Sequence, residues 1–153
     1  MAATSAGLLL YRRGIPPRVF LVHPGGPYWA AKDQGAWSVP KGLVNPAEDE
    51  LGAARREFQE ETGFDIPTSA ACDLGVFRLP GGKRLRVWAL EGDCDPAHLT
   101  SNLFSMEWPP GSGRVQQFPE VDRGAWFEPT QALAKVTRGQ RAVLEKFYAA
   151  LGS

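Results

Sequence analysis

Between Pro46 and Gly63 lies a segment whose pattern allows little except a helix with one heavily acidic face. Pro46 and Glu48-Asp49 supply a start, Leu51, Ala54 and Phe58 recur at helical spacing, and Gly63 supplies a stop. The spacing predicts a helix over 48–62. At about 100° per residue, Glu57, Glu60 and Glu61 fall near 0°, 300° and 40°, so their carboxylates share an arc of about 100°. Like charges at these separations repel by about 0.2–0.5 kcal/mol per pair, which a cation would relieve. Hard oxygen donors without His or Cys beside them suit Mg²⁺ or Mn²⁺, and Mg²⁺ commonly shares its site with substrate phosphates. The same residues also suit a solvated acidic face on which Arg56 simply pairs with Glu60.

Around this helix the pattern is that of an α/β domain. Ser5 to Arg12 and Arg18 to His23 read as buried strands joined through Gly14-Ile-Pro-Pro17 into a hairpin. Residues 24–35 read as a loop carrying Tyr28, Trp29 and Lys32, and loops of that length usually serve a function. A short strand is expected at Trp37-Ser-Val39, a second hairpin from Asp73–Leu79 and Lys83–Glu91 about Pro80-Gly-Gly82, and a loop over Ser101–Gly113. Another short strand is expected at Ala125–Phe127, and helices at 130–136 and 139–151. Strands on both sides of a central helix, with helices at the end, imply a mixed sheet sandwiched between helices.

From Gly42 the chain reads Gly, five residues, Glu48, seven residues, Arg56-Glu57-Phe58-x-Glu60-Glu61-x-Gly63-Phe64. This resembles the Nudix box at every specified position, and the order of elements is similar to the family's αβα sandwich over essentially the whole chain, with the box as a loop-helix-loop. The resemblance implies metal-dependent hydrolysis of a nucleoside diphosphate linked to another group X. Carried over by motif position, Glu60 and Glu61 would ligate the metal together with the carbonyl of Lys41. Glu57 would be a ligand or the base that deprotonates the attacking water. Arg56 would orient Glu57 or Glu60, Glu48 would brace that network, and Gly42 and Gly63 would let the loop approach the metal and the helix end.

Pro40-Lys41-Gly42 resembles the approach to the box in dinucleoside polyphosphate hydrolases, so dinucleoside polyphosphates are the favoured substrates. A hydrolase of oxidised nucleoside triphosphates is the alternative, and a nucleotide-sensing module without turnover is the rival from another class. The segment Gln117 to Phe127 resembles a late segment of many family members in which a loop acid reaches the metals or acts as base; Glu120 is the candidate, with Asp122 second. For substrate grip, alternation puts Arg84, Arg86 and Trp88 on one strand face, where guanidinium groups and an indole could hold phosphates and a base. Tyr28, Trp29 and Lys32 are a second candidate clamp. A solvated outer face and an ordinary surface loop account equally well for the two sets.

The 153 residues make one domain, 1–153, long enough for a core containing eight Phe, five Trp and three Tyr. Seventeen basic residues against seventeen acidic ones argue against a stable nucleic-acid complex. Cys72 and Cys94 are too few for a disulfide framework and read as reduced thiols; His23 and His98 have no spaced partners and read as structural. The apolar run Ala6–Leu10 is too short for a membrane span, and Arg12 and Arg13 follow it rather than precede it. A cytoplasmic protein is expected, with a nucleotide-type small molecule as ligand and a homodimer as one possible assembly.

Overall fold

The computed structural model describes residues 3–152; the ends of the expected 1–153 domain, residues 1, 2 and 153, lie outside the described residues. Strands β1 (Thr4–Arg12), β2 (Arg18–Pro24) and β3 (Lys41–Leu43) precede helix α1 (Glu50–Thr62). Then follow β4 (Cys72–Arg78), β5 (Arg84–Glu91), β6 (Leu103–Glu107), β7 (Val115–Pro119) and β8 (Val121–Phe127). Helices α2 (Pro129–Lys135) and α3 (Arg141–Leu151) close the domain.

The main sheet runs β4-β5-β1-β2-β8, with β3 also paired to β1. It is mixed, since β1 and β5 are parallel while β1–β2, β2–β8 and β4–β5 are antiparallel. Its centre is apolar in unbroken runs, Leu8-Leu9-Leu10 and Phe20-Leu21-Val22, because both faces are covered. Leu8, Leu10, Phe20 and Val22 turn to one side and pack with Ala53, Ala54 and Phe58 of α1. Leu9, Val19 and Leu21 turn to the other and pack with Ala132 of α2 and with Val143, Leu144 and Phe147 of α3. The period of two along each strand thus builds the two cores of an αβα sandwich.

Asp49 caps α1, its side chain accepting from Gly52 N–H, and the helix begins at Glu50, not at residue 48. Glu48 is left outside the helix, where it accepts a hydrogen bond from Asn45 N–H at 3.1 Å. At the other end Gly63 adopts φ 81° and donates to Gln59 C=O, a left-handed stop that a side chain would strain.

Three expected elements differ. Trp37-Ser-Val39 is not a strand: Trp37 and Ser38 make single bridges to Val136 and Val22, and the paired segment begins at Lys41. Ser101–Gly113 is not all loop, because Leu103–Glu107 pairs with Val115–Pro119 in a separate two-stranded sheet. Its Pro109-Pro110-Gly111 stretch is the tip of that hairpin, so turn residues there mark a reversal between strands rather than a long loop. The strand expected at Ala125–Phe127 begins earlier, at Val121, where it pairs with Pro24 across a bulge.

Candidate active site

Antiparallel pairing of β3 with β1, Ala6 opposite Gly42 and Gly7 opposite Lys41, lays the Lys41-Gly42 backbone beside α1. There Lys41 N–H donates to Glu61 Oε1 at 3.3 Å. A Cβ built on Gly42 would sit 2.0 Å from the carboxylate carbon of Glu57. Gly42 is not among the glycines with positive φ, so the need for glycine comes from the room Glu57 occupies rather than from backbone freedom.

Arg56 organises the acids. Its Nε and Nη2 reach the two oxygens of Glu48 at 2.8 and 2.9 Å, and Nη1 reaches Glu57 Oε1 at 2.8 Å and both Glu60 oxygens at 3.3 Å. Nη2 also donates to Leu43 C=O at 3.0 Å, tying the helix to the strand that carries Gly42. This planar, multiply bonded arrangement is one that lysine could not reproduce. Arg56, chiefly, holds the Glu48 carboxyl below its ordinary range.

Glu57 and Glu61 behave in the opposite sense. Burial raises the Glu57 carboxyl, opposed by its bond from Arg56. Burial raises Glu61 further, to about 8, opposed by the Lys41 charge and N–H. Neighbouring Glu57 and Glu120 add to the rise at Glu61, and Glu60 and Glu120 to that at Glu57. Hydrogen bonds bring Glu120 there: Asn102 N–H donates to Glu60 C=O at 2.8 Å, Glu120 N–H to Asn102 C=O at 2.9 Å, and Gly25 N–H to Glu120 C=O at 2.9 Å.

The donor set fits a hard divalent cation, since the buried carboxylates repel one another and their negative charge is only partly answered by Arg56 and Lys41. Among the described residues, no three acidic, His or Cys side chains already converge at liganding distance. Glu60 is turned toward Arg56 and is the more exposed acid, at 42% against 13% for Glu57.

The expected substrate residues separate. Trp88 is only 7% exposed and packs in the core beneath α1, so its ring has no free face for a base. Arg86 is held by Asp73 at 2.6 Å and by Glu50 at 3.5 Å, and its guanidinium lies over the Trp88 ring. Arg84 is exposed on the same strand face. That face is the α1 face, whereas an open cleft of about 720 Å³ beside Lys41 and Gly42 is lined by Ser5, Trp29, Lys83 and Arg138. The alternation along β5 holds, with Leu85, Val87 and Ala89 in the opposite core, but the cleft lies on that opposite side of the sheet.

In the loop, Trp29 lines this cleft and Lys32 Nζ stands 5.0 Å from the centre of its ring. Tyr28 points elsewhere, edge-on to Trp108 at 5.1 Å. Asp122 is occupied by His23, whose Nδ1 lies 2.9 Å from Asp122 Oδ1 and whose Nε2 lies 2.6 Å from Lys32 C=O. Fully buried His23 therefore fastens the loop to the sheet, and Asp122 is drawn away from the candidate role of metal-facing acid. Lys83 and Arg138 escaped sequence reading. A lysine directly after a Pro-Gly-Gly turn was a usable signal for the first; the turn carrying the second has none.

A carboxylate cluster braced by one arginine and set against Gly42, which also lines an open cleft in the αβα sandwich, defines a centre suited to a divalent cation and a phosphorylated ligand. The chain belongs to the NUDIX domain family, whose model matches residues 1–147. The asymmetrical bis(5'-nucleosyl)-tetraphosphatase of Rattus norvegicus is 38% identical over 71 residues, which cover 42% of this chain and 45% of that protein. An 8-oxo-(d)GTP phosphatase of Mycolicibacterium smegmatis is 32% identical over 90 residues, 56% of this chain and 27% of that one. The chain thus aligns with less than half the length of either relative. In fold it is similar to a C. elegans Ap4A hydrolase solved as a binary complex, with TM-score 0.67 and 24% identity over 97% of this chain and 98% of that one.

Proposed function

We propose that this protein is a hydrolase of phosphoric anhydride bonds in nucleotides, dependent on Mg²⁺ or Mn²⁺, with dinucleoside polyphosphates such as diadenosine polyphosphates as its preferred substrates. The observation that carries this reading is the Glu57 carboxylate seated in the space a Gly42 side chain would fill, held by Arg56 and facing Glu61 and Glu120. Glu57, Glu60, Glu61 and the Lys41 carbonyl would hold the ion, which supplies neutralising charge for the phosphates and an acidified water.

The chain's own residues do the rest. Arg56 fixes the direction of Glu57, so the carboxylate that accepts a proton or a metal bond does not swing. Glu120, whose charge acts on Glu57 and Glu61 from outside the helix, would serve as a second acceptor. Lys41 and Lys83 offer charge to phosphates lying in the cleft, and Trp29 offers the one aromatic surface there for a base.

The similarity to the Rattus norvegicus tetraphosphatase supports dinucleoside substrates; that to the Mycolicibacterium smegmatis phosphatase supports oxidised nucleoside triphosphates as the second reading. A panel of both classes with Mg²⁺ at slightly alkaline pH, with products identified, separates them. The first reading requires nucleoside mono- and triphosphate products from a dinucleoside tetraphosphate at a higher kcat/KM than any oxidised triphosphate; binding without turnover of either class would overturn both readings.

A further inference from the structure

The cleft beside Lys41 and Gly42 does not stand alone. A second hollow of about 540 Å³ shares Gly35 and Arg138 with it and continues to Arg141. The placement is built. Gly139 lies so close to the turn after β4 that a Cβ there would meet Pro80 Cδ at 2.8 Å. Buried Gln140 accepts a hydrogen bond from Val39 N–H at 2.9 Å, and Thr137 N–H donates to Trp37 C=O at 2.8 Å. The turn of Arg138–Gln140 is thereby fixed between the β4–β5 turn that precedes Lys83 and the segment that leads into Lys41.

The charges along this path are unanswered. Arg12, Arg13, Arg18, Arg55, Arg56 and Arg86 each hold a carboxylate. Lys83, Arg138 and Arg141 make no ion pair and no side-chain hydrogen bond among the described residues. Asp33, the acid on the loop that ends at Gly35, is occupied by Lys135 and by Trp37 Nε1. In a chain whose formal charge sums to zero, three unpaired cations along two hollows that share Gly35 and Arg138 make a local anion-binding field. The second hollow is otherwise lined by Gly35, Leu133, Ala134 and Val136. It has no ring on which a base could stack, and its two guanidinium groups suit an anion such as phosphate.

We propose that Lys83, Arg138 and Arg141 form a track for the distal phosphates of a linear phosphoanhydride chain whose scissile bond lies at the carboxylates, so that the protein selects substrates by chain length. The proposal rests on the nucleotide-hydrolase reading above. Its test compares KM for diadenosine tri-, tetra-, penta- and hexaphosphate in wild type, Arg141→Gln and Arg138→Gln/Arg141→Gln. In wild type KM falls as the chain lengthens. In the variants the ratio of the triphosphate KM to the hexaphosphate KM shrinks by about three- to tenfold, the scale of one or two charge-assisted contacts at a partly open site. A KM independent of chain length in wild type, or a rise by the same factor for every substrate in the variants, overturns the track.

Calorimetry with inorganic tripolyphosphate, without divalent metal, keeps the track apart from the hydrolase reading. Binding to wild type that weakens in the double variant supports the track even if no nucleotide is hydrolysed; equal binding by the two proteins overturns it. A 5′-triphosphorylated RNA oligonucleotide is the remaining arm. Sensitivity to the two substitutions confined to that RNA would make the distal ligand a phosphodiester chain and overturn the proposal.

Discussion

Replacing Gly42 with alanine separates the position of Glu57 from the integrity of the fold. The new Cβ would meet the Glu57 carboxylate at 2.0 Å, where ordinary contacts begin at 3.4 Å, so the carboxylate has to retreat by about 1.4 Å. The backbone accepts alanine, because Gly42 is not in the left-handed region. The obstructing group is the end of a flexible side chain, and Arg56 keeps its two hydrogen bonds to Glu48 when Glu57 moves. The disturbance is therefore local, and the melting temperature should stay within about 4 °C of wild type. A misplacement of about 1 Å at a reacting centre is worth about 10²-fold in rate. Steady-state kcat for a dinucleoside tetraphosphate with saturating Mg²⁺ should thus fall about 10²-fold. A Gly42→Ala protein with wild-type kcat would refute the assignment of Glu57 to the chemistry. An equal loss of rate with a melting temperature lowered by more than about 10 °C would refute its steric explanation.

Glu57→Gln keeps shape but not charge, and should lower kcat by about 10²–10⁴ with little change in KM or melting temperature; full activity would leave Glu120 as the base to test. Mg²⁺ or Mn²⁺ should raise the melting temperature of wild type by ligand linkage, and Glu60→Gln/Glu61→Gln should abolish that rise in thermal melts. The raised Glu61 carboxyl predicts a pH dependence of the metal-free protein. With a folded value of about 8, above that of the unfolded chain, its contribution to stability is full below the ordinary carboxylate range and is lost as pH rises toward 8. In chelator, the melting temperature of wild type should therefore decline through that window, and Glu61→Gln should flatten the decline; identical profiles would contradict it.

Much of the fold was legible because its determinants are local. The apolar runs at Leu8–Leu10 and Phe20–Val22 set the central strands, and the spacing of Leu51, Ala54 and Phe58 set α1. What escaped depends on partners distant in sequence. Lys41–Leu43 is a strand only because β1 offers it an edge, and Leu103–Glu107 only because Val115–Pro119 returns beside it. In the candidate site, the helix periodicity placed the three glutamates on one face. It could not show that Gly42 is required by a side chain fifteen positions away. Alternation likewise sorted Arg84, Arg86 and Trp88 from their neighbours, but which face of β5 a helix covers is a property of the whole sheet.

The backbone bond from Glu120 N–H to Asn102 C=O, at 2.9 Å, closes the excursion of β6 and β7 at its base. Asn102 is itself anchored to the last turn of α1 through Glu60 C=O. Everything between these two residues is thus a detour whose start and finish are stitched to the same spot. Such a detour can lengthen, shorten or change its tip over evolutionary time while the acid that follows it stays in register with the helix. For engineering, it is a grafting site beside the reaction centre: a foreign hairpin of matching stem can be carried there, a short reach from bound substrate, without re-laying the carboxylates.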